Sequence, residues 1–312
     1  MDIFDAKNIK PMLIANMKEP FDSPDWIYEL KWDGIRCIMY LDDKETEIRN
    51  KRNKTLNTHV PELLRLHTKV KEKCILDGEL IVYKSGAPDF YEIQRRVMTT
   101  NAAKIAINSK MYPATFVAYD ILYLKGKEIT DLPLTERKRL LAENTAFEDS
   151  QFAISKHFLS QGNILYQMAV TQKLEGVVAK KSDSKYYFDK RTKDWIKFKV
   201  MEDEDFVVCG YIIKDNHMTS LVLGQYNKEM QLIFKGHITL GISLNQLLAY
   251  PIHILERPPF DILPSGNVNA IWLAPRLVCV VQYMANDKGI RRQPVFKGFR
   301  NDIRPKDCRE IQ

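Results

Sequence analysis

Five side chains have types and settings suited to chemistry on phosphorus. They are Lys31 in ELKWDGIRC, Glu79 in LDGEL, Glu175 ahead of Gly-Val-Val, and Lys197 and Lys199 in WIKFK. An isolated lysine is ordinarily a surface lysine, and a carboxylate beside a Gly turn ordinarily braces that turn. The set says more than its members. In a strand, Lys197 and Lys199 alternate onto one face with Trp195, while Phe198 opposes them. Two lysines facing the same way are costly against an apolar core and make sense over a polyphosphate. A free lysine is a poor nucleophile near neutrality, with a pKa of about 10.4. Neighbouring cations and partial desolvation can lower that value and leave an amine able to attack phosphorus. Lys197 and Lys199 would supply such cations and offset charge growing on phosphate oxygens. Glu79 and Glu175 would hold a divalent metal, which needs hard oxygen ligands. This is equipment for phosphoryl or nucleotidyl transfer. No Gly-rich loop ending in Gly-Lys-Ser or Gly-Lys-Thr occurs, which disfavours a P-loop ATPase.

The elements that must position these groups are readable in outline. Trp26 to Tyr40 reads as strand, Asp33-Gly34 turn, strand, and CILDGELIVYKSG reads likewise around Asp77-Gly78. A short helix is expected over Pro61 to Val70, helices over 89–106, 134–144 and 161–173, and a buried strand over 114–124. LEGVVAKK and WIKFKV read as two strands around a basic loop. The run Glu202-Asp203-Glu204-Asp205 is expected to be a hinge, since four like charges repel and gain nothing from burial. Beyond it come short strands and one helix at 243–249, opened by Ser243 as N-cap, which suggests a small five-stranded barrel.

The bulk numbers agree with a globular protein. At 312 residues, two domains are the natural expectation, divided as 1–201 and 202–312. Forty-seven Lys and Arg against forty Asp and Glu give a net charge of +7, an excess that suits a polyanionic partner. The five scattered cysteines form no zinc or redox motif and read as reduced thiols in a cytoplasmic protein. The N-terminus lacks the apolar stretch of a signal peptide, and no run approaches a membrane span.

ELKWDGIR matches the Lys-x-Asp-Gly-x-Arg signature of the covalent nucleotidyltransferases, and the chain from about Pro11 to Arg304 resembles an ATP-dependent DNA ligase. The resemblance is to the compact bacterial and phage kind, including the ligase module of end-joining ligases. It implies an α+β fold: an ATP-grasp-like nucleotidyltransferase domain with antiparallel sheets and flanking helices, followed by an OB-fold barrel. It also implies ATP, Mg²⁺ or Mn²⁺, and nicked or broken duplex DNA as ligands, with roles in repair, replication or recombination. Lys31 would become the covalent lysyl-AMP. Glu29 would read the adenine amino group, and Arg36 would contact the nucleotide or the nick. Glu79 would touch the ribose or a metal, and Glu175 would be the main metal carboxylate. Lys197 and Lys199 would hold phosphates. Tyr119 in FVAYD would stack on adenine where most such ligases carry phenylalanine; the alternative is a core tyrosine. Arg52 in KRNKTL, with Arg49 competing, would be the arginine after the first motif.

The tail resembles the C-terminal Arg-x-Asp-Lys motif at Arg300-Asn301-Asp302, but Ile303 takes the lysine place, leaving Arg304 or Lys306 to compensate. Two basic stretches, 180–199 and 288–309, are expected to track DNA phosphates without reading sequence, the bland alternative being a solvated surface. Within the first, Tyr186, Tyr187 and Phe188 would pack on sugar or brace the loop. The rivals are an RNA ligase, a capping-type guanylyltransferase, or a catalytically silent DNA-binding protein. At this length a separate DNA-wrapping domain is not expected, so the chain reads as a monomer that grips DNA with loops or with a clamp or end-binding partner.

Overall fold

The computed structural model describes residues 2–310 apart from 18, 85, 216, 263–264 and 285–290. The chain forms two compact units, Met1–Val200 and Met201–Gln312. In the first unit the principal strands are β1 (Leu13–Asn16), β2 (Trp26–Leu30), β3 (Ile35–Leu41), β4 (Thr46–Asn50) and β5 (Cys74–Lys84). They are followed by helices α1 (Phe90–Met98) and α2 (Ala102–Met111), β6 (Ala114–Leu124), α3 (Leu134–Asn144), β7 (Phe152–Ile154), β8 (His157–Leu159), α4 (Gly162–Thr171), β9 (Gly176–Lys181) and β10 (Arg191–Lys199).

These strands make two sheets, ordered β1-β10-β9-β2-β8 and β4-β3-β5-β6, with β7 parallel beside β6. Asp33-Gly34 does not close a hairpin, because β2 and β3 belong to different sheets. The connection carrying Lys31 is instead a crossing from one sheet to the other. Gly34 makes that crossing close: a Cβ there would sit 2.2 Å from the Leu80 carbonyl oxygen. Asp77-Gly78 does not break its strand either. β5 runs through it, with register shifts against β6 at Ile75/Leu76 and at Asp77/Gly78. Continuity is favoured because Asp77, fully buried, is paired with Arg36 of the neighbouring strand.

Residues 89–106 hold two helices, since Asn101 opens a second one by accepting from the Lys104 amide. Pro61 to Val70 is two short 3-10 turns, Pro61–Leu63 and Leu66–Lys69. Apolar residues of β3, β5 and β6 on one face of their sheet pack with Leu63 and Ile93. Ile27 and Trp195 pack with the opposite face, against Ile38, Ile75 and Leu122. The outer face of the smaller sheet, with Tyr28, Ala179 and Phe198, is covered by α4 through Leu165 and Ala169.

The principal elements of the second unit are β11 (Glu202–Ile213), β12 (Thr219–Tyr226), β13 (Leu232–Ile238), α5 (Leu244–Leu248), β14 (Ile271–Met284) and β15 (Arg292–Arg300), with a two-residue strand, Ile254–Leu255, beside β14. The strands are antiparallel in the order β13-β12-β11-β14-β15. The Phe296 amide of β15 donates to the Leu240 carbonyl just beyond β13, 2.8 Å, which draws the edge strands together as a barrel requires. Ser243 caps α5 in a reciprocal capping box with Gln246.

The acidic run 202–205 is the start of β11, not an irregular hinge. Glu204 is buried there because Arg291 grips both its oxygens, 2.7 and 2.8 Å, and Gln225 donates to it. Asp205 pairs with Arg300. Partner cations remove the repulsion that four acids would otherwise feel. All five cysteines are free and buried, and among the described residues no helix is long and apolar enough to cross a membrane.

Candidate active site

Lys31 follows β2, and its amide donates to the Gly176 carbonyl, 2.9 Å, at the entry of β9. That contact brings the lysine to the residue before Gly176. Its Nζ lies 2.6 Å from Glu175 Oε2. Gly176 has φ +144° and a Cβ there would meet the Phe198 carbonyl at 2.0 Å, so glycine is required beside Glu175. The next residue, Trp32, donates its indole N–H to buried Ser155, 3.2 Å, pinning the crossing from the other side.

The β9/β10 register puts Lys199 opposite Gly176, Lys197 opposite Val178 and Trp195 opposite Lys180. Lys197 therefore faces the same side as Lys31, and its pKa falls to about 8. Burial is the largest cause, followed by the charges of Lys199 and Lys31. Glu79, opposite Arg36 in the β3/β5 ladder, is pushed up to about 8. Burial dominates; Lys31 and Arg36 pull it down, and Glu175 and Asp77 push it further up. Three lysines and two carboxylates thus share one electrostatic neighbourhood.

The second half of the site is drier. Glu29 is 2% exposed, and its Oε1 lies 2.5 Å from Lys138 Nζ and 3.1 Å from Lys180 Nζ. Lys180 Nζ also sits 4.5 Å from the Tyr119 ring centre and 4.2 Å from that of Trp195. Burial lowers Lys180 to about 8 despite Glu29. Arg36 makes two hydrogen bonds to Asp77, 3.0 and 2.6 Å, and one to the Met12 carbonyl, 2.6 Å, while its guanidinium lies 5.6 Å from the Tyr119 ring centre. Tyr186 donates to Asp77, 2.7 Å, and accepts from the Met12 amide, so it braces the basic loop.

Residues 6–199 match the model of the ATP dependent DNA ligase domain, and residues 214–303 match that of the ATP dependent DNA ligase C terminal region. The chain belongs to the ATP-dependent DNA ligase family. It is 34% identical over 210 residues to the SPbeta prophage-derived DNA ligase-like protein LigB of Bacillus subtilis, covering 66% of this chain and 73% of that protein. It is 28% identical over 318 residues to the multifunctional non-homologous end joining protein LigD of Pseudomonas aeruginosa, covering 97% of this chain but only 36% of that protein. A solved mycobacterial DNA ligase D complexed with ATP and MES superposes with TM-score 0.57 at 26% identity, over 97% of this chain and 99% of that one. The fold is accordingly the α+β ligase nucleotidyltransferase architecture followed by an OB-fold barrel, and the guanylyltransferase and RNA ligase alternatives are not favoured.

Within this ligase-family chain the expected residues fall into three groups. Lys31, Glu79, Glu175, Lys197 and Lys199 share one electrostatic neighbourhood, and Glu29 and Tyr119 share Lys180, Tyr119 also packing against the core cluster that holds Trp195. Arg36 is largely consumed by Asp77 and Met12, and Arg49 by Glu47 (2.5 Å) and the Asn53 carbonyl (3.2 Å), whereas Arg52 is exposed. Arg300 belongs to the second unit, held by Asp205 and Asp302. Ile303, in the motif's lysine place, packs into that unit's core cluster with Cys308, while Arg304 is exposed and paired with Asp307.

Lys138 was not anticipated from the sequence, and Lys180, expected with the 180–199 stretch to track DNA phosphates, is instead buried against Glu29. A signal for the first existed. Leu134, Arg137, Lys138 and Leu141 follow the i, i+3, i+4, i+7 spacing of a buried helical stripe, and cations on such a stripe demand buried acids. Arg137 finds Asp120, at 2.8 Å in each of two bonds.

Proposed function

We propose that this chain seals 5′-phosphate/3′-hydroxyl breaks in duplex DNA, using ATP, with residues 1–201 as the adenylation domain and 202–312 as its OB-fold partner. The single observation that carries the reading is the Lys31 amine at 2.6 Å from Glu175, beside a Lys197 that feels the Lys31 charge. The unprotonated amine attacks the α-phosphorus of ATP. A P–N bond forms, the P–O bond to pyrophosphate breaks, and the amine's proton passes to a neighbouring base or water. AMP then moves to the 5′-phosphate of the break, and the 3′-hydroxyl displaces it. Lys197 and Lys199 offset charge on the phosphate oxygens. Glu29 accepts from the adenine amine, and Tyr119 packs on the ring.

Glu79 and Glu175 fit a divalent cation, Mg²⁺ or Mn²⁺. Burial and the neighbouring acid hold Glu79 up near 8, which an added cation would reverse. Among the described residues no group of three or more His, Cys, Asp or Glu side chains gathers, so phosphate oxygens and water would complete the shell. Such an ion would supply further charge neutralisation at the phosphates. Exposed Arg52 suits a DNA phosphate, whereas Arg300 would have to leave Asp205 and Asp302 before it could hold a phosphate. The protein would act in the cytoplasm as a monomer, with or without a DNA-end-binding or clamp protein.

The test is incubation with α-labelled ATP, divalent metal and nicked duplex. Label should appear on protein, then on the DNA 5′ end, ahead of a sealed product. Lys31→Ala should form no adduct yet still bind nicked duplex. Undiminished adduct in that variant would remove Lys31 as nucleophile.

A further inference from the structure

Helix α3 presents two consecutive cations to two different sheets. Arg137 is fully buried against Asp120 of β6, beside Tyr119. Lys138, its side chain 3% exposed, reaches Glu29 of β2. Arg137 secures the helix, and Lys138 then acts as a fixed arm. Lys138 and Lys180 converge on the same oxygen, Oε1, of Glu29. Oε1 and the Lys138 ammonium meet as a close ion pair, an arrangement that would leave Oε2 to accept from a ligand. A carboxylate at this depth accepts a hydrogen bond well only when it is ionised and held in one orientation. Lys180 alone is a poor guarantor of either, since it is shared with the Tyr119 and Trp195 rings. The third polar neighbour, His157, lies opposite Glu29 in the β2/β8 ladder. Burial and Lys138 favour its neutral form, so it adds no second full charge.

We propose that Lys138 is a positioning residue for nucleobase selection: it clamps Oε1 of Glu29 so that Oε2 is presented to the exocyclic amine of an adenine. The proposal rests on the reading of Glu29 as the base-recognising carboxylate. Lys138 itself touches no substrate. Its removal leaves Glu29 free to rotate toward Lys180 or to take up a proton, and in either case the amine loses its acceptor.

The experiment compares adduct formation from ATP and from purine riboside 5′-triphosphate, which lacks the amine. The wild-type protein should prefer ATP. In Lys138→Met the ATP preference should fall about 10-fold, expressed in KM, as expected for one lost charge-assisted hydrogen bond, while the analogue is used almost as before. Lys138→Arg should restore part of the preference. Retained use of the analogue shows that the variant is folded. If Lys138→Met does not fold, Lys138→Gln must show a smaller fall in the same ratio. Equal losses on both nucleotides, or an unchanged ratio, overturn the role of Lys138. A wild-type protein indifferent to the amine overturns the reading of Glu29 instead.

Discussion

The two ends of the candidate site, one proposed for the base and one for the phosphates, are built on opposite principles. At the base end, Glu29, Lys138 and Lys180 are buried and paired with one another before any ligand arrives. At the phosphate end, Lys31, Lys197 and Lys199 outnumber Glu79 and Glu175, and burial keeps Glu79 largely neutral at pH 7. Desolvation has been met in advance at the first end, which favours selectivity through fixed geometry. At the second, cations cluster beside a carboxyl whose pKa burial raises, which favours affinity for a polyanion and stabilisation of charge that grows during reaction.

The contrast breaks most visibly at Glu175. Glu175→Gln preserves shape and removes the charge that holds Lys31, so single-turnover adduct formation should drop about 100-fold or more, the scale of losing one preorganised electrostatic group. The ratio of ATP to purine riboside triphosphate should stay unchanged, because the base end keeps its own ion pairs. A fall of less than about threefold would mean that Lys31 is aimed without Glu175.

The phosphate end should also be the pH-sensitive one. Glu79 ionises as pH rises through about 8, improving the site for a divalent cation, while Lys197 loses its charge from about 8 upward and weakens its hold on phosphate. With both ATP and the divalent cation limiting, the adduct rate should therefore rise and then fall around pH 8. Glu79→Gln should erase the acid limb, and Lys197→Gln the alkaline one. The ligand-free protein carries the matching stability signature. A carboxyl raised from its ordinary 4.5 stabilises the fold fully below that pH, and the contribution is lost as pH climbs through about 8. Tm should fall across that window and flatten in Glu79→Gln.

The same division marks what the sequence disclosed. Lys31, Glu175 and the strand face of Lys197 and Lys199 were legible because a reactive lysine near strand ends and period-two alternation are local signals. The helix over Leu134–Asn144 was legible too. Its partners were not, because Lys138 meets Glu29 across 109 positions, a pairing no window contains. Asp33-Gly34 and Asp77-Gly78 carry identical turn chemistry, yet one crosses between sheets and the other stays inside a strand. Asp77 is tied to Arg36 of the neighbouring strand, a long-range pairing that favours continuity there. The run 202–205 misled for a related reason, since Arg291 and Arg300 cancel its repulsion from far along the chain.

The smallest effect concerns two arginines three residues apart. Arg49 is tied to Glu47 and the Asn53 carbonyl. Arg52 sits exposed in the following turn, its amide donating to Asn50 Oδ1 at 2.9 Å. A cation whose hydrogen bonds are already spent within the protein neutralises a DNA phosphate poorly, whereas an exposed one does so at the release of about one counterion. Arg52→Ala should thus weaken nicked-duplex binding and reduce the slope of log K against log salt by about 1, with adduct formation intact. Arg49→Ala should leave that slope alone and cost about 1 kcal/mol or less of stability, the value of a partly exposed pair. Reversed outcomes would assign the phosphate contact to Arg49 and require its pair with Glu47 to open on DNA.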